Sequence, residues 1–273
     1  MQQDKISIDL KLPTKWEDLS DKHLRYVFAL LAQGYTATEV KAYCLHRWAG
    51  LKVLHRYGNV WACKHDGLQF ILAAGQVERA THALDWLDSV PTLPVRLAKI
   101  GSHRAIDAQF QGVPFETFIV CDNLYQGYLA TKQDELLEQM ACHLYSRKIS
   151  DEGVVISDPH QNHSSLISHL SSADKVGIFY WFASLKTFFA KVFKHFFQPI
   201  DNASVDNGNM FEQQQSQFEM LQNAVNAQIR ALTKGDITKK QQVLSLDTWR
   251  ALTELDAQAR EYVEISRKFP RGV

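Results

Sequence analysis

The sequence predicts a mainly helical α+β fold, with a small antiparallel sheet in the N-terminal part and amphipathic helices in the C-terminal part. Apolar residues recur every three or four positions over much of the chain, as on the buried face of a helix. A β-rich stretch built around an Asp-Gly pair interrupts this pattern. A serine-rich stretch then separates two parts. We therefore expect an α+β domain over 1–149, a linker or long loop over 150–173 and a helical region over 174–273.

The spacing of apolar residues changes near the start of the chain, and this change predicts the first elements. Apolar and polar residues alternate over 6–12, which predicts a half-buried strand. The spacing becomes helical over 16–33, and Gly34 is suited to end that helix. Thr36 and Glu39 have the spacing of a capping box, which predicts a second helix directly after it.

The β-rich stretch comes next. Residues 53–64 and 68–72 have strand composition, and the Asp66-Gly67 pair between them is typical of a tight hairpin turn. A helix is predicted over 74–88, where apolar residues again recur at helical spacing.

The rest of the N-terminal part alternates between the two types. Residues 95–100 and 115–120 are predicted as short strands because they are rich in apolar and β-branched residues. Helices are predicted over 123–129 and 132–145.

The segment 174–198 is predicted to form one aromatic amphipathic helix. At about 100° per residue, its rings gather on one face, and three lysines lie on the other. The ring residues that we expect to act as partner-binding anchors are Trp181, Phe182, Phe188, Phe189, Phe193 and Phe196. The surface-basic residues are Lys186, Lys191 and Lys194.

Such a face has to be covered, because several exposed aromatic rings in water invite aggregation. It could pack inside this chain, fill a groove on a partner or sister subunit, or lie in a membrane interface with its lysines toward anionic lipid. After a polar loop, two more amphipathic stretches over 210–269 are predicted to form a helical hairpin.

Composition restricts the partners. Thirty basic residues balance thirty acidic ones, so no long-range attraction for nucleic acid is expected. No apolar run has the length of a membrane-spanning helix, and the first residues lack the apolar core of a signal peptide. Four widely spaced cysteines favour reduced thiols and a cytoplasmic location.

Recognised catalytic motifs are missing from the sequence. His160 and His163 have metal-ligand spacing but lack two further convergent ligands, and no nucleotide-binding glycine motif is present. We therefore predict no catalytic residue, metal or cofactor. An enzyme would need a site assembled from dispersed residues, and these would be His103, Cys121, Asp122, His143 and the histidines within 158–169.

Two parts of the chain resemble uncharacterised proteins from phage or prophage structural gene clusters. The first is Leu12-Pro13-x-x-Trp16-Glu17-x-Leu19 near the start. The second is the tail, with Ala-Leu-Thr-Lys-Gly-Asp-Ile-Thr over 231–238 and Trp-Arg-Ala-Leu-Thr-Glu-Leu-Asp over 249–256. The resemblance implies a role in virion or tail assembly without catalysis, and a virion location if it holds.

The sequence thus favours a non-enzymatic structural or assembly protein that acts by burying amphipathic helices in an oligomer or larger complex. Self-association or a protein partner is expected, and a membrane surface is possible. The alternatives are a membrane-peripheral protein that uses the helix 174–198, or an enzyme with a dispersed site.

Overall fold

The computed structural model describes residues 11–146, 166–197, 227, 229–233 and 235–268, with the side chains of residues 237 and 266–268 excepted. Contacts between residues divide the chain into two units, Met1–Pro91 and Thr92–Val273, called unit 1 and unit 2 below. This boundary differs from the one expected after residue 149. It differs because the helices that precede 146 share a hydrophobic core with the helices that follow 166.

The first described elements of unit 1 are helical, and their ends are set by capping residues. A 3-10 turn over Trp16–Asp18 precedes α1 (Asp21–Ala32), and Gly34 follows α1 with a positive φ of 78°. The predicted capping box starts α2 (Ala37–Trp48). The Thr36 hydroxyl accepts from the Glu39 backbone N–H at 3.4 Å, and the Glu39 carboxylate accepts from the Thr36 backbone N–H at 2.9 Å.

A three-stranded antiparallel sheet follows, formed by β1 (Lys52–Tyr57), β2 (Val60–His65) and β3 (Leu68–Ala73) in that order. The predicted turn is confirmed, because Asp66 and Gly67 both have positive φ, as a type I′ turn requires. The single strand predicted over 53–64 is instead two strands. Gly58, with a φ of 57°, makes the turn between them.

The helix predicted over 74–88 is α3 (Ala74–Thr81), continued by a 3-10 helix over His82–Asp88. This continuation carries Trp86 into the core of unit 1. The Trp86 ring stacks on Trp48 and makes an edge contact with Trp16. The Trp16 indole N–H donates to the Ser89 carbonyl at 2.9 Å, so its polar edge is satisfied where it is buried.

Unit 2 contains a second small antiparallel sheet and a set of packed helices. The sheet is formed by β4 (Lys99–Ile100), β5 (His103–Ala105) and β6 (Tyr145–Ser146), in that order. The strand predicted over 95–100 is therefore only two residues long. The helices are α4 (Phe115–Thr131), α5 (Asp134–Leu144), α6 (Ser172–Val192), α7 (Lys240–Leu244) and α8 (Thr248–Lys268).

The strand predicted over 115–120 is wrong, because these residues form the first turns of α4. Pro114 is the N-cap of that helix, a place where a missing backbone N–H costs nothing. Phe115, Phe118 and Ile119 are all buried, at the spacing of one helical face. The aromatic and β-branched residues of this stretch locally favour a strand. The helix forms instead because it packs Phe118 against Phe182 and Phe189 of α6.

A short backbone contact attaches the start of α8 to the start of α4. The Phe115 N–H donates to the Leu246 carbonyl at 2.8 Å, and the Thr248 N–H donates to the Val113 carbonyl at 2.9 Å. Between them, the Asp247 carboxylate accepts from the backbone N–H groups of Gly112, Trp249 and Arg250. Asp247 therefore caps α8 and fixes its direction relative to α4.

Several predicted features lie outside the described residues. These are most of the strand over 6–12, most of the loop over 150–173, most of the first half of the hairpin over 210–269 and its last residues. The described end of that first half, over 229–233, is helical, and Ile229 and Leu232 pack against the core. The second half of the hairpin corresponds to α8. The mainly helical α+β fold class is confirmed by the described part of the chain.

Replacing Asp247 by alanine should destabilise unit 2 by about 1–2 kcal/mol, because one carboxylate satisfies both a helix N-terminus and a neighbouring loop. Urea unfolding followed by circular dichroism measures the change. The matched control is Asp236→Ala, whose carboxylate bonds to Thr238 and Lys239 within its own turn. Equal losses for the two variants would contradict the role assigned to Asp247.

Candidate functional site

The aromatic helix predicted over 174–198 is α6, and it ends six residues earlier than expected. Phe193 follows its last residue with a φ of −104° and a ψ of 64°, which breaks the helix. The chain then turns, and Asp256 of α8 holds the turn. Its carboxylate accepts from the backbone N–H groups of His195 and Phe196 at 2.8 and 3.0 Å.

Four of the six predicted anchors are buried by the chain itself. Trp181, Phe182, Phe189 and Phe193 are at most 4% exposed, whereas Phe188 and Phe196 are half-buried. The contacts are ring against ring. The centroid of Phe182 lies 6.2 Å from that of Phe110, 6.1 Å from that of Phe118 and 5.3 Å from that of Tyr125. Edge-to-face and offset arrangements at these distances are favourable.

The C-terminal end of the aromatic face packs against Trp249 of α8. The rings of Phe188, Phe189 and Phe193 have centroids 5.9, 5.7 and 5.5 Å from that of Trp249. The Trp249 indole N–H donates to the Gln109 carbonyl at 2.7 Å. This is the internal packing that the sequence left open as one of three alternatives. The buried rings are therefore not a free docking face.

The three predicted surface lysines have different environments. Lys186 is partly buried and pairs with Asp122 of α4, and this ion pair joins the two helices. Lys191 and Lys194 are exposed. A pair that is about three-quarters covered is worth more than an exposed one, because solvent screens it less.

The dispersed residues of the enzyme alternative lie on three elements: His103 on β5, Cys121 and Asp122 on α4, and His143 on α5. Cys121 is fully buried within α4, and its burial raises the pKa of its thiol well above the ordinary range. Asp122 is occupied by Lys186, and His103 is buried in β5. Within the described residues, no group of three or more His, Cys, Asp or Glu is placed to hold a metal ion. His160 and His163 lie outside them.

The surface that sequence reasoning missed is the sheet of unit 1, whose two outer edges differ. All six residues of β1 are exposed, and this strand carries Lys52, His55 and Arg56 together with an irregularity in register between Val53 and His55. Charge and bulges are the devices by which edge strands avoid pairing. β3 has neither device: its sequence Leu-Gln-Phe-Ile-Leu-Ala is uncharged, and its pairing with β2 is regular.

The register shows which groups of β3 face outward. The two-residue turn makes His65 and Leu68 a hydrogen-bonded pair, so alternate residues of β3 direct their backbone groups away from β2. These are Gln69, Ile71 and Ala73, of which Ala73 already donates its N–H to the side-chain oxygen of Gln76 at 2.8 Å. The Ile71 side chain is 69% exposed, and that of Leu68 is 54% exposed. Across the described residues, no strand pairs with this edge.

A sequence signal for this edge was present. The uncharged run 68–73 directly follows a tight turn, and Gly58 marks a second turn ten residues earlier. Recognition of both turns would have predicted three strands with β3 on the outside.

Among the helices in the described part of the chain, none combines the length and apolar character needed to cross a membrane. Comparison of the chain with protein-family models, with curated proteins and with solved structures finds no match. The resemblance to phage structural-cluster proteins therefore stays an expectation from the sequence.

Replacing Phe182 by alanine should lower the free energy of unfolding by about 3–5 kcal/mol, because it leaves a cavity among three rings. Tyr262→Ala is the matched control, since that ring is 69% exposed on α8 and its loss should change stability by about 0.5 kcal/mol or less. Chemical denaturation measures both. A Phe182 variant as stable as the control would mean that the ring is not part of the core.

Iodoacetamide at pH 8 should leave Cys121 of the native protein unmodified, because burial raises its thiol pKa and the thiolate is the reactive form. Cys142 is half-buried, and burial followed by the charge of Glu138 raises its pKa to about 11, so it should react slowly. Mass spectrometry of peptides locates the label, and denatured protein is the control. Fast labelling of native Cys121 would revive the nucleophile hypothesis.

Proposed function

We propose that this chain is a non-enzymatic structural or assembly protein that self-associates through the outer edge of β3. The carrying observation is the contrast between the edges of one sheet: β1 is charged and irregular, and β3 is uncharged and regular. An uncovered apolar edge strand is a template for pairing with another strand. The sequence resemblance adds a setting to this proposal, namely a virion or tail assembly.

The proposed self-association contact is on β3 and not on α6, the aromatic helix that the sequence analysis expected to bind a partner. Three of the six rings of α6 are buried within unit 2 and the other three are half-buried, so they have little surface left to give to a partner. The same burial weakens the membrane alternative, which needs those rings at the lipid boundary. Burial of Cys121 weakens the enzyme alternative.

A second copy of this chain is the occupant that fits the edge best. Identical strands that carry charge would place like charges opposite each other, and β3 has none to oppose. Two-fold symmetry also makes the contact self-complementary, since each copy gives and receives the same bonds.

The outward groups select a register. An antiparallel pair with its two-fold axis at Ile71 places Ile71 opposite Ile71, and Gln69 opposite Ala73, in the other copy. Ile71 then forms a hydrogen-bonded pair with its own copy. Gln69 faces Ala73, whose N–H is already bonded to the Gln76 side chain, so this outer pair is incomplete. On the other face of the sheet, Phe70 comes opposite Leu72, a favourable aromatic–aliphatic pair. One strand pair is a small interface, so we expect a dimer that forms at micromolar concentration.

The variant Ile71→Lys should convert the dimer to a monomer, because two lysines would stand opposite each other at the symmetry axis. Tyr57→Lys is the matched control: that residue is 66% exposed on the same face of the sheet, but it lies on the opposite edge strand, β1. Sedimentation velocity over a range of protein concentrations measures both.

A monomeric wild-type protein at all concentrations, or a dimer unaffected by Ile71→Lys, would refute the proposal. Ile71→Cys gives an independent test, because two cysteines at the axis should form a disulfide-linked dimer under mild oxidation. Tyr57→Cys should not. If the amides of Gln69 and Ile71 exchange slowly in a monomer, another part of the same chain covers the edge.

A further inference from the structure

The sheet of unit 1 has a solvent-exposed face on the side away from α2, called the outer face below. The other face lines an apolar cleft of about 280 Å³ with α2, through Trp61, Cys63 and Leu72. Because side chains alternate along a strand, the residues between these point to the outer face. The register therefore places there Lys52, His55 and Tyr57 of β1, opposite Lys64, Ala62 and Val60 of β2.

Two lysines stand directly opposite each other on the outer face. Lys52 and Lys64 are cross-strand partners, so their Cβ atoms are about 5 Å apart, and both side chains are exposed. Like charges in this position repel, and neither ammonium group has a carboxylate partner in the described part of the chain. An anion bound between the two lysines would remove the repulsion.

The single acid of the three strands and their turns does not compensate these charges. It is Asp66, and its carboxylate lies 3.4 Å from Nε2 of His65, a residue of the opposite face. The outer face therefore carries positive charge without any acidic side chain from its own strands.

Protection of an edge strand explains charge on β1, but it does not explain the lysine pair. β2 is the central strand, and it pairs with a neighbour on both sides. Lys64 thus has no open edge to protect. Its place opposite Lys52 is better explained by a ligand that carries negative charge.

Two exposed rings lie beside the lysines on the same face. The centroids of the His55 and Tyr57 rings are 5.8 Å apart, with the ring planes tilted by 34°. Tyr57 is 66% exposed, and the residues opposite the two rings, Ala62 and Val60, are smaller. A flat molecule can therefore reach the rings. Exposed rings that alternate with cations are typical of surfaces that bind single-stranded nucleic acid, because every base has a π-face that can stack.

We propose that the outer face of this sheet binds a single strand of nucleic acid. Its phosphates contact Lys52 and Lys64, and its bases stack on His55 and Tyr57. A duplex fits less well, because its bases are already stacked on one another. A lipid headgroup or an acidic peptide supplies charge without a row of flat rings. The chain has no net charge, so the attraction is local to this face.

This binding does not depend on the proposed self-association. The four side chains belong to β1 and β2, so one copy of the chain contains the whole site. Self-association uses the backbone of β3 at the other edge of the sheet. Either proposal can therefore fail without the other.

The charge contribution is tested with a fluorescently labelled thymidine oligonucleotide of about eight nucleotides. Anisotropy titration should give a dissociation constant on the order of 10⁻⁵ M at low salt. Combining Lys52→Gln with Lys64→Gln should reduce the slope of log affinity against log salt by about 1.4, because each phosphate contact on a single strand contributes about 0.7. The matched control combines Lys191→Gln with Lys194→Gln, two exposed lysines of unit 2, and should leave binding unchanged.

The ring contribution is tested at Tyr57. Tyr57→Ala should weaken binding about tenfold, the effect of losing one stacked base, whereas Tyr57→Phe keeps the ring and should stay within about twofold of the wild type. Tyr262→Ala removes an equally exposed ring from α8 and is the control. Circular dichroism checks that each variant folds, and His55→Ala replaces Tyr57→Ala if that variant does not.

Competition separates stacking from charge alone. Unlabelled oligonucleotide should displace the probe, whereas duplex DNA, inorganic polyphosphate and anionic vesicles at the same phosphate concentration should displace it much less. Absence of oligonucleotide binding, a folded ring variant or lysine variant that binds like the wild type, or equal displacement by any of these competitors would overturn the proposal.

Discussion

The burial of the aromatic face of α6 is the interaction on which unit 2 depends. A helix that carries so many rings cannot remain in water, and the chain supplies the cover itself through α4 and α8. The rings meet at centroid distances of about 5–6 Å in tilted and edge-to-face geometries, which add a directional preference to the hydrophobic effect. Both indole N–H groups of this aromatic cluster are satisfied, since Trp181 and Trp249 donate to carbonyls of the loop before α4.

Covering the rings of α6 requires one orientation of α8 relative to α4 and α6. Asp247 fixes the start of α8 against the loop before α4. Asp256 accepts hydrogen bonds from the backbone that directly follows α6. Two carboxylates about nine residues apart on one segment therefore connect three helices through backbone N–H groups. Bonds to the backbone do not depend on which side chain the partner carries, so this arrangement tolerates sequence change in the loops.

Local chemistry made some of this predictable from the sequence. The capping box at Thr36, the turn at Asp66-Gly67 and the aromatic stripe of α6 each rest on a few neighbouring residues, and the structure contains all three. The helix at 115–120 was missed because its composition favours a strand and only its contacts with α6 settle the matter. The apolar cleft and the β3 edge depend on how distant elements assemble, and local periodicity carries no signal for that. The stripe itself was predicted, but the sequence could not say what covers it.

The difference between the two edges of the unit 1 sheet also decides how growth would stop. A sheet with two open edges can add subunits without limit and form a fibre, because every addition exposes a fresh edge. Here an added copy joined at β3 leaves only β1 at both outer sides, with its lysine, arginine and distorted register. If the proposed contact forms, the charge pattern of β1 would therefore limit the assembly to a finite size.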